Sequence, residues 1–154
     1  MLFGGHGERR AELIAELHAR LETQPLWSAA HDALMTVVDA LEVDPTFYRE
    51  RAHLYTTEPV LRSAVLRLND ELIDDMSVVF AEHLGLDRQD LLPTLIATLA
   101  NGALRSAIDR WVGVGGRADL RALATRSLQI VQPAIVQAAE QASRLGSPRA
   151  QRAR

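Results

Sequence analysis

Apolar residues recur at spacings of three and four along almost the whole chain, and no alternation of apolar and polar residues persists beyond a few positions. That leaves no material for a sheet and predicts an all-α fold. Scarce aromatics, at 5%, and abundant Ala and Leu push the same way. The pattern is clearest from Arg105 to Leu123, RSAIDRWVGVGGRADLRAL. There a helix is predicted to end at Trp111, the glycines at 113, 115 and 116 make a turn, and a second amphipathic helix begins.

Punctuation between the periodic stretches divides the chain into about six helices. The first is predicted over Gly7 to Leu21, with Leu13, Ile14, Leu17 and Leu21 on one face. Pro25 opens a second, carrying Trp27, His31, Leu34, Val38 and Leu41. Asp44-Pro45 pairs a capping carboxylate with a proline pre-set for the first turn, and starts a third that carries Phe47, Arg51, Leu54 and Tyr55. Thr57-Glu58-Pro59 marks a break and restart. The fourth helix then runs to Leu84 and stops at Gly85, with a stripe of Leu61, Val65, Leu68, Leu72, Met76, Val79 and Phe80. Asp87 or Asp90 caps the fifth, and Pro93 favours the later start. The sixth begins near Ala118 with Asp119 in its first turn, and Pro133 is expected to kink or end it near Gln132. Residues 1–143 form one domain on this reading, and 144–154, RLGSPRAQRAR, a flexible basic tail.

With 154 residues the chain can bury a real core, and 47% hydrophobic against 24% charged residues is the balance of a soluble globular protein. The absence of cysteine excludes disulfides and thiolate metal sites, and suits a cytoplasmic protein. Every basic residue is Arg, yet the formal charge is −3, so there is no overall electrostatic footprint for nucleic acid. MLFGGHGERR lacks the basic-then-apolar form of a signal peptide, and no stretch is read as a membrane span.

Chemistry-bearing motifs are few. Asp70, Glu71, Asp74 and Asp75 hold one-turn spacings that could converge on a hard cation, but Leu72 and Ile73 claim the inward face. A solvated acidic face partly neutralised by Arg67 accounts for them better. Glu50-x-x-His53 has the spacing used in helical di-iron sites, which need that pair twice; it occurs once. The glycines at 113, 115 and 116 follow a helix, whereas a phosphate-binding loop follows a strand. No nucleophile–base pair, metal set or cofactor fingerprint is recognisable, so no enzyme activity and no cofactor are expected.

The apolar stripes with isolated polar members carry more. Trp27, His31, Phe47, Met76, Phe80, Asn101 and Arg105 fall on or beside the inward faces of four helices, and are the candidate lining of a ligand cavity. Asn101 and Arg105 lie one turn apart in an otherwise apolar helix, where a ligand head group could satisfy them. The last two helices are read as an interface. Small residues punctuate one and a broad apolar face marks the other, with Gly102, Trp111, Leu120, Leu123, Ser127 and Val131 as candidate dimer contacts.

Three local patterns carry a family resemblance: Arg49 to Leu61 with its Glu-Pro break, Ala103 to Trp111, and Asp119 to Leu123. With the helix order from Leu2 to about Ala139, they resemble the C-terminal half of TetR-family transcriptional regulators, in the branch described as mycofactocin-type or acyl-CoA-responsive. The resemblance implies an all-helical effector-binding and dimerisation domain. It implies a pocket between the middle helices, a homodimer through the last two, and a small hydrophobic or acyl-type effector. It places Trp111 at the end of the penultimate helix and Leu123 at the start of the dimer helix. Members of the family begin with a helix-turn-helix, which the sequence as written does not show, so specific DNA binding by this chain alone is not expected. The alternative is a stand-alone helical interaction protein that forms homo- or heterodimers with a full-length regulator.

Overall fold

The computed structural model describes residues 6–152, and side chains from 7 to 145. Among them the chain forms six helices and no strand: α1 (His6–Leu21), α2 (Leu26–Val43), α3 (Pro45–Thr57), α4 (Pro59–Leu84), α5 (Leu91–Gly113) and α6 (Leu120–Arg152).

The helix boundaries follow local chemistry. Asp44 accepts a hydrogen bond from the Phe47 backbone N–H at 3.1 Å, and Pro45 opens α3. Gly85 ends α4 at φ 65°, and the Leu86 N–H reaches back to the Ala81 carbonyl at 3.0 Å. Asp90, rather than Asp87, caps α5 by accepting from Leu92 N–H at 3.0 Å. Two boundaries move from expectation. The helix α5 runs two residues past Trp111, to Gly113. Asp119 stands outside α6 as its cap, not in its first turn, and accepts from Ala122 N–H at 3.0 Å.

Pro133 does not end α6, which continues to Arg152. Proline removes one backbone donor, but here it lies on the solvent side, where water can reach the carbonyl it leaves unbonded. Buried Ala124 and Leu128 before it, and Ile135, Ala138 and Ala142 after it, hold the helix to the core on both sides. The basic tail expected at 144–154 is helical to Arg152, and its side chains from 146 lie outside the described residues, as do Met1, Leu2 and Phe3.

The helix α5 packs between α4 and α6, and α2 closes the core against α1 and α6. Phe80, Leu17, Leu34, Met76, Ile96, Leu128 and Ile135 are its largest fully enclosed side chains. By length and composition alone α5 is long and apolar enough to cross a membrane, although Asn101, Arg105, Asp109 and Arg110 interrupt its apolar run. Half of that apolar window is buried inside the fold.

Not one residue from Glu42 to Asp75 is buried. The stripe predicted along α4 is half used: Met76, Val79 and Phe80 enter the core, while Leu61, Val65, Leu68 and Leu72 are only partly covered. The cause is what lies opposite. The first half of α4 is covered by α3, which has no buried side chain of its own.

Candidate functional site

Polar contacts fix the helices around this thinly packed region. The Asn101 amide on α5 donates to the side-chain oxygen of Asn69 on α4 at 2.6 Å, and Asn101 is 4% exposed. One end further, the hydroxyls of buried Ser77 and of Thr94 are 2.9 Å apart. These two pairs set α4 and α5 antiparallel. On the outer face Arg10 of α1 bridges Glu71 and Asp75 of α4, and the Asp75 hydrogen bond is the largest of the effects that raise the Arg10 pKa. The acidic run is thus a clamp for α1 more than a free solvated face. No cluster of potential metal ligands occurs among the described residues.

At the opposite end of the bundle the start of α6 meets the end of α2, where Arg121 pairs with Asp39 and, at 2.8 Å, with Glu42. Its pKa is raised, first by the Asp39 hydrogen bond. Beside it the first turn of α3 is tied to the α5–α6 turn: Arg49 donates to the Gly115 carbonyl at 2.9 Å. Gly115 and Gly116 adopt φ 66° and 68°, which only glycine adopts readily. The side chain of Arg49 lies where a Cβ at Gly116 would stand.

The expected ligand residues fall into four groups. Met76 and Phe80 are fully enclosed. Trp27 and His31 flank α2 at its half-buried edge, with ring centroids 5.7 Å apart, and His31 Nδ1 is 3.0 Å from Asp32. Phe47 on α3 is 47% exposed and packs edge-on against Tyr48. Of the two polar candidates, Asn101 is satisfied by Asn69, and Arg105 lies half-buried with its Nε 3.6 Å from the Asp109 carboxylate.

Sequence reasoning did not single out Arg51. Its Nε donates to the Tyr55 hydroxyl at 2.7 Å, and its guanidinium carbon lies 5.6 Å from the centre of the Phe47 ring. Its Nη2 is shielded from solvent, and no protein acceptor reaches it. A buried donor without a partner costs about 1–3 kcal/mol, more when charged. The signal in sequence was an arginine sharing a stripe of α3 with Phe47, Leu54 and Tyr55. Gln24 Oε1 is likewise shielded without a donor, at the start of α2.

Among the expected dimer contacts, Trp111 and Leu120 are enclosed in the chain's own core. Gly102, Leu123, Ser127 and Val131 are half-buried along α5 and α6, and nothing lies within 4 Å of a Cβ placed on Gly102. Ile130, next to these on α6, is 70% exposed.

A family profile described as the MftR C-terminal domain, one of the TetR C-terminal domain families, matches residues 24–136. The chain belongs to the TetR C-terminal domain family. No curated protein matches it. In this TetR-type domain the matched span runs from the residue before Pro25 through α5 and into the first half of α6, and so takes in the whole thinly packed region. It is a regulatory-domain family, which points away from catalysis.

Proposed function

We propose that the chain is the effector-binding and dimerisation part of a TetR-like transcriptional regulator, sensing a small hydrophobic or acyl-type ligand in the cytoplasm. The match of residues 24–136 to a TetR-type C-terminal domain carries this reading. The unburied stretch from Glu42 to Asp75 supports it, because effector sites are drawn from the parts of a fold that rearrange at low cost. Trp27, His31, Phe47, Met76, Phe80, Asn101 and Arg105 stand as the proposed lining. Gly102, Leu123, Ser127 and Val131, with Trp111 and Leu120 behind them, are the proposed contacts of a homodimer, and the exposed Ile130 extends that face. Effector occupancy would then shift the dimer between two geometries. The assignment to the mycofactocin-type or acyl-CoA-responsive branch belongs to the same proposal. No DNA-reading role is assigned to these residues, whose formal charge is −3.

Sedimentation across a range of protein concentrations tests the dimer. Ile130→Asp should yield a folded monomer, whereas a wild-type chain that stays monomeric at the highest concentration overturns the homodimer. Thermal melts with apolar ligands test the sensor, since stabilisation grows as free ligand exceeds its dissociation constant. The exposed Ile130 also supports a second reading, a helical interaction protein that pairs with a full-length regulator. In that case co-purification from its own cells recovers a second, longer chain and melts show no ligand shift.

A further inference from the structure

We propose that α3 carries an oxyanion site in which Arg51 receives the acidic head group, carboxylate or phosphate, of an amphipathic ligand. The inference rests on the effector-binding reading above and specifies the ligand class.

Two observations converge on it. The Nη2 of Arg51 is held out of water with no acceptor in the protein, while its Nε is occupied by Tyr55, so one edge of the guanidinium is oriented and the other is left over. No carboxylate among the described residues pairs with Arg51, whereas Arg10, Arg105 and Arg121 all have acidic partners. A guanidinium donor without a counter-charge in a sheltered place is matched by an oxyanion, which accepts through two oxygens in the plane of the fork.

The surroundings supply the rest of an amphipath's needs. Phe47 and Leu54 stand one turn to either side of Arg51 on the same stripe of α3, and both are large apolar side chains left about half exposed. An anion on Arg51 places an attached alkyl chain along them. Access requires α3 to shift, and α3 is the helix least committed to the core: none of its side chains is buried. Its first turn is held by Arg49 to Gly115 and by the Asp44 cap, so the start of the helix can act as the fixed end. Arg51 therefore supplies the charge recognition that Asn101 and Arg105, each with a protein partner, do not need to supply.

The test compares decanoate, decyl phosphate and decanol as ligands of the intact chain, read by the fluorescence of Trp27 and Trp111 and by thermal melts. The expected result is that at least one anion binds about tenfold or more tightly than decanol, and that Arg51→Met removes this preference while leaving decanol binding in place. Which anion wins identifies the head group. Equal binding of all three by the wild type, or a preference retained in R51M, overturns the oxyanion site and leaves the effector reading standing. Binding of none of the three overturns both. Should R51M fail to fold, Arg51→Lys carries the test, because an ammonium keeps the charge without the fork. A reduced anion preference supports the site, and an unchanged one overturns it.

Discussion

Arg49 reaches across 66 positions of sequence to donate to the Gly115 carbonyl at 2.9 Å, and its side chain fills the space beside the Cα of Gly116. A helix with no fully buried side chain is in this way fastened to the turn between α5 and α6, the most extensively packed pair. Two neighbouring glycines consequently have different reasons to be glycine. Gly115 has open space around it and a positive φ, whereas Gly116 has a positive φ and Arg49 against it.

Gly115→Ala should therefore lose about 1 kcal/mol from left-handed backbone strain alone. Gly116→Ala should lose more, roughly 2 kcal/mol, because Arg49 must also give up its place. Urea unfolding of both variants in the wild-type and Arg49→Ala backgrounds separates the terms. The excess loss at Gly116 should vanish once Arg49 is gone, and an excess that survives would mean the strain lies in the turn.

Removing Asn69 leaves the amide of a nearly enclosed Asn101 with no acceptor. Asn69→Ala should cost about 1–3 kcal/mol, and the double variant with Asn101→Leu less than the sum of the two single changes. Additive losses would show that the two side chains do not act as a pair.

Pro133 interrupts the hydrogen bonding of α6 on its exposed side without ending the helix. Pro133→Ala restores a donor to the Gln129 carbonyl and should raise stability by about 1–3 kcal/mol, seen as a higher Tm. A lower Tm would mean that the proline sets a bend the core depends on.

The raised pKa values of Arg10 and Arg121 fix the sign of their pH dependence. A cation whose pKa is higher in the folded chain contributes in full below its unfolded value, and that contribution fades only as pH passes the folded one. Both lie above any ordinary working range, so the Tm difference between the wild type and Arg121→Gln should be constant from pH 7 to about 10. It should shrink in about 1 M salt, since these pairs are solvent-exposed. A difference that changes across that pH range would point to another titrating group.

What could be read from sequence was what acts over one turn. Asp44-Pro45, Gly85 and Asp90 each announce a boundary through the atoms they offer the adjacent backbone, and each occurs where expected. The all-helical fold followed from the same periodicity, and the family from the resemblance carried by Arg49 to Leu61, Ala103 to Trp111 and Asp119 to Leu123. Of the two outcomes expected at Pro133, an end to the helix does not occur, because its local penalty is outweighed by packing on both sides of it, which depends on distant residues. The stripe of α4 misled in the opposite way: its spacing is amphipathic throughout, but only the second half faces a filled core. The roles of Arg49 and Arg51 and the pairing of Asn69 with Asn101 depend on chain segments meeting in space, and periodicity carries no record of that.

The unbroken α6 has a mechanical consequence. At ~1.5 Å per residue, 33 residues make a rod ~50 Å long. Its first turn is clasped by Arg121 to the end of α2, beside the turn that holds Arg49. Because its buried face from Ala124 to Ala142 is packed on the core, the rod turns only together with the bundle, and a rotation of the two by about 5° would carry the far tip through ~4 Å.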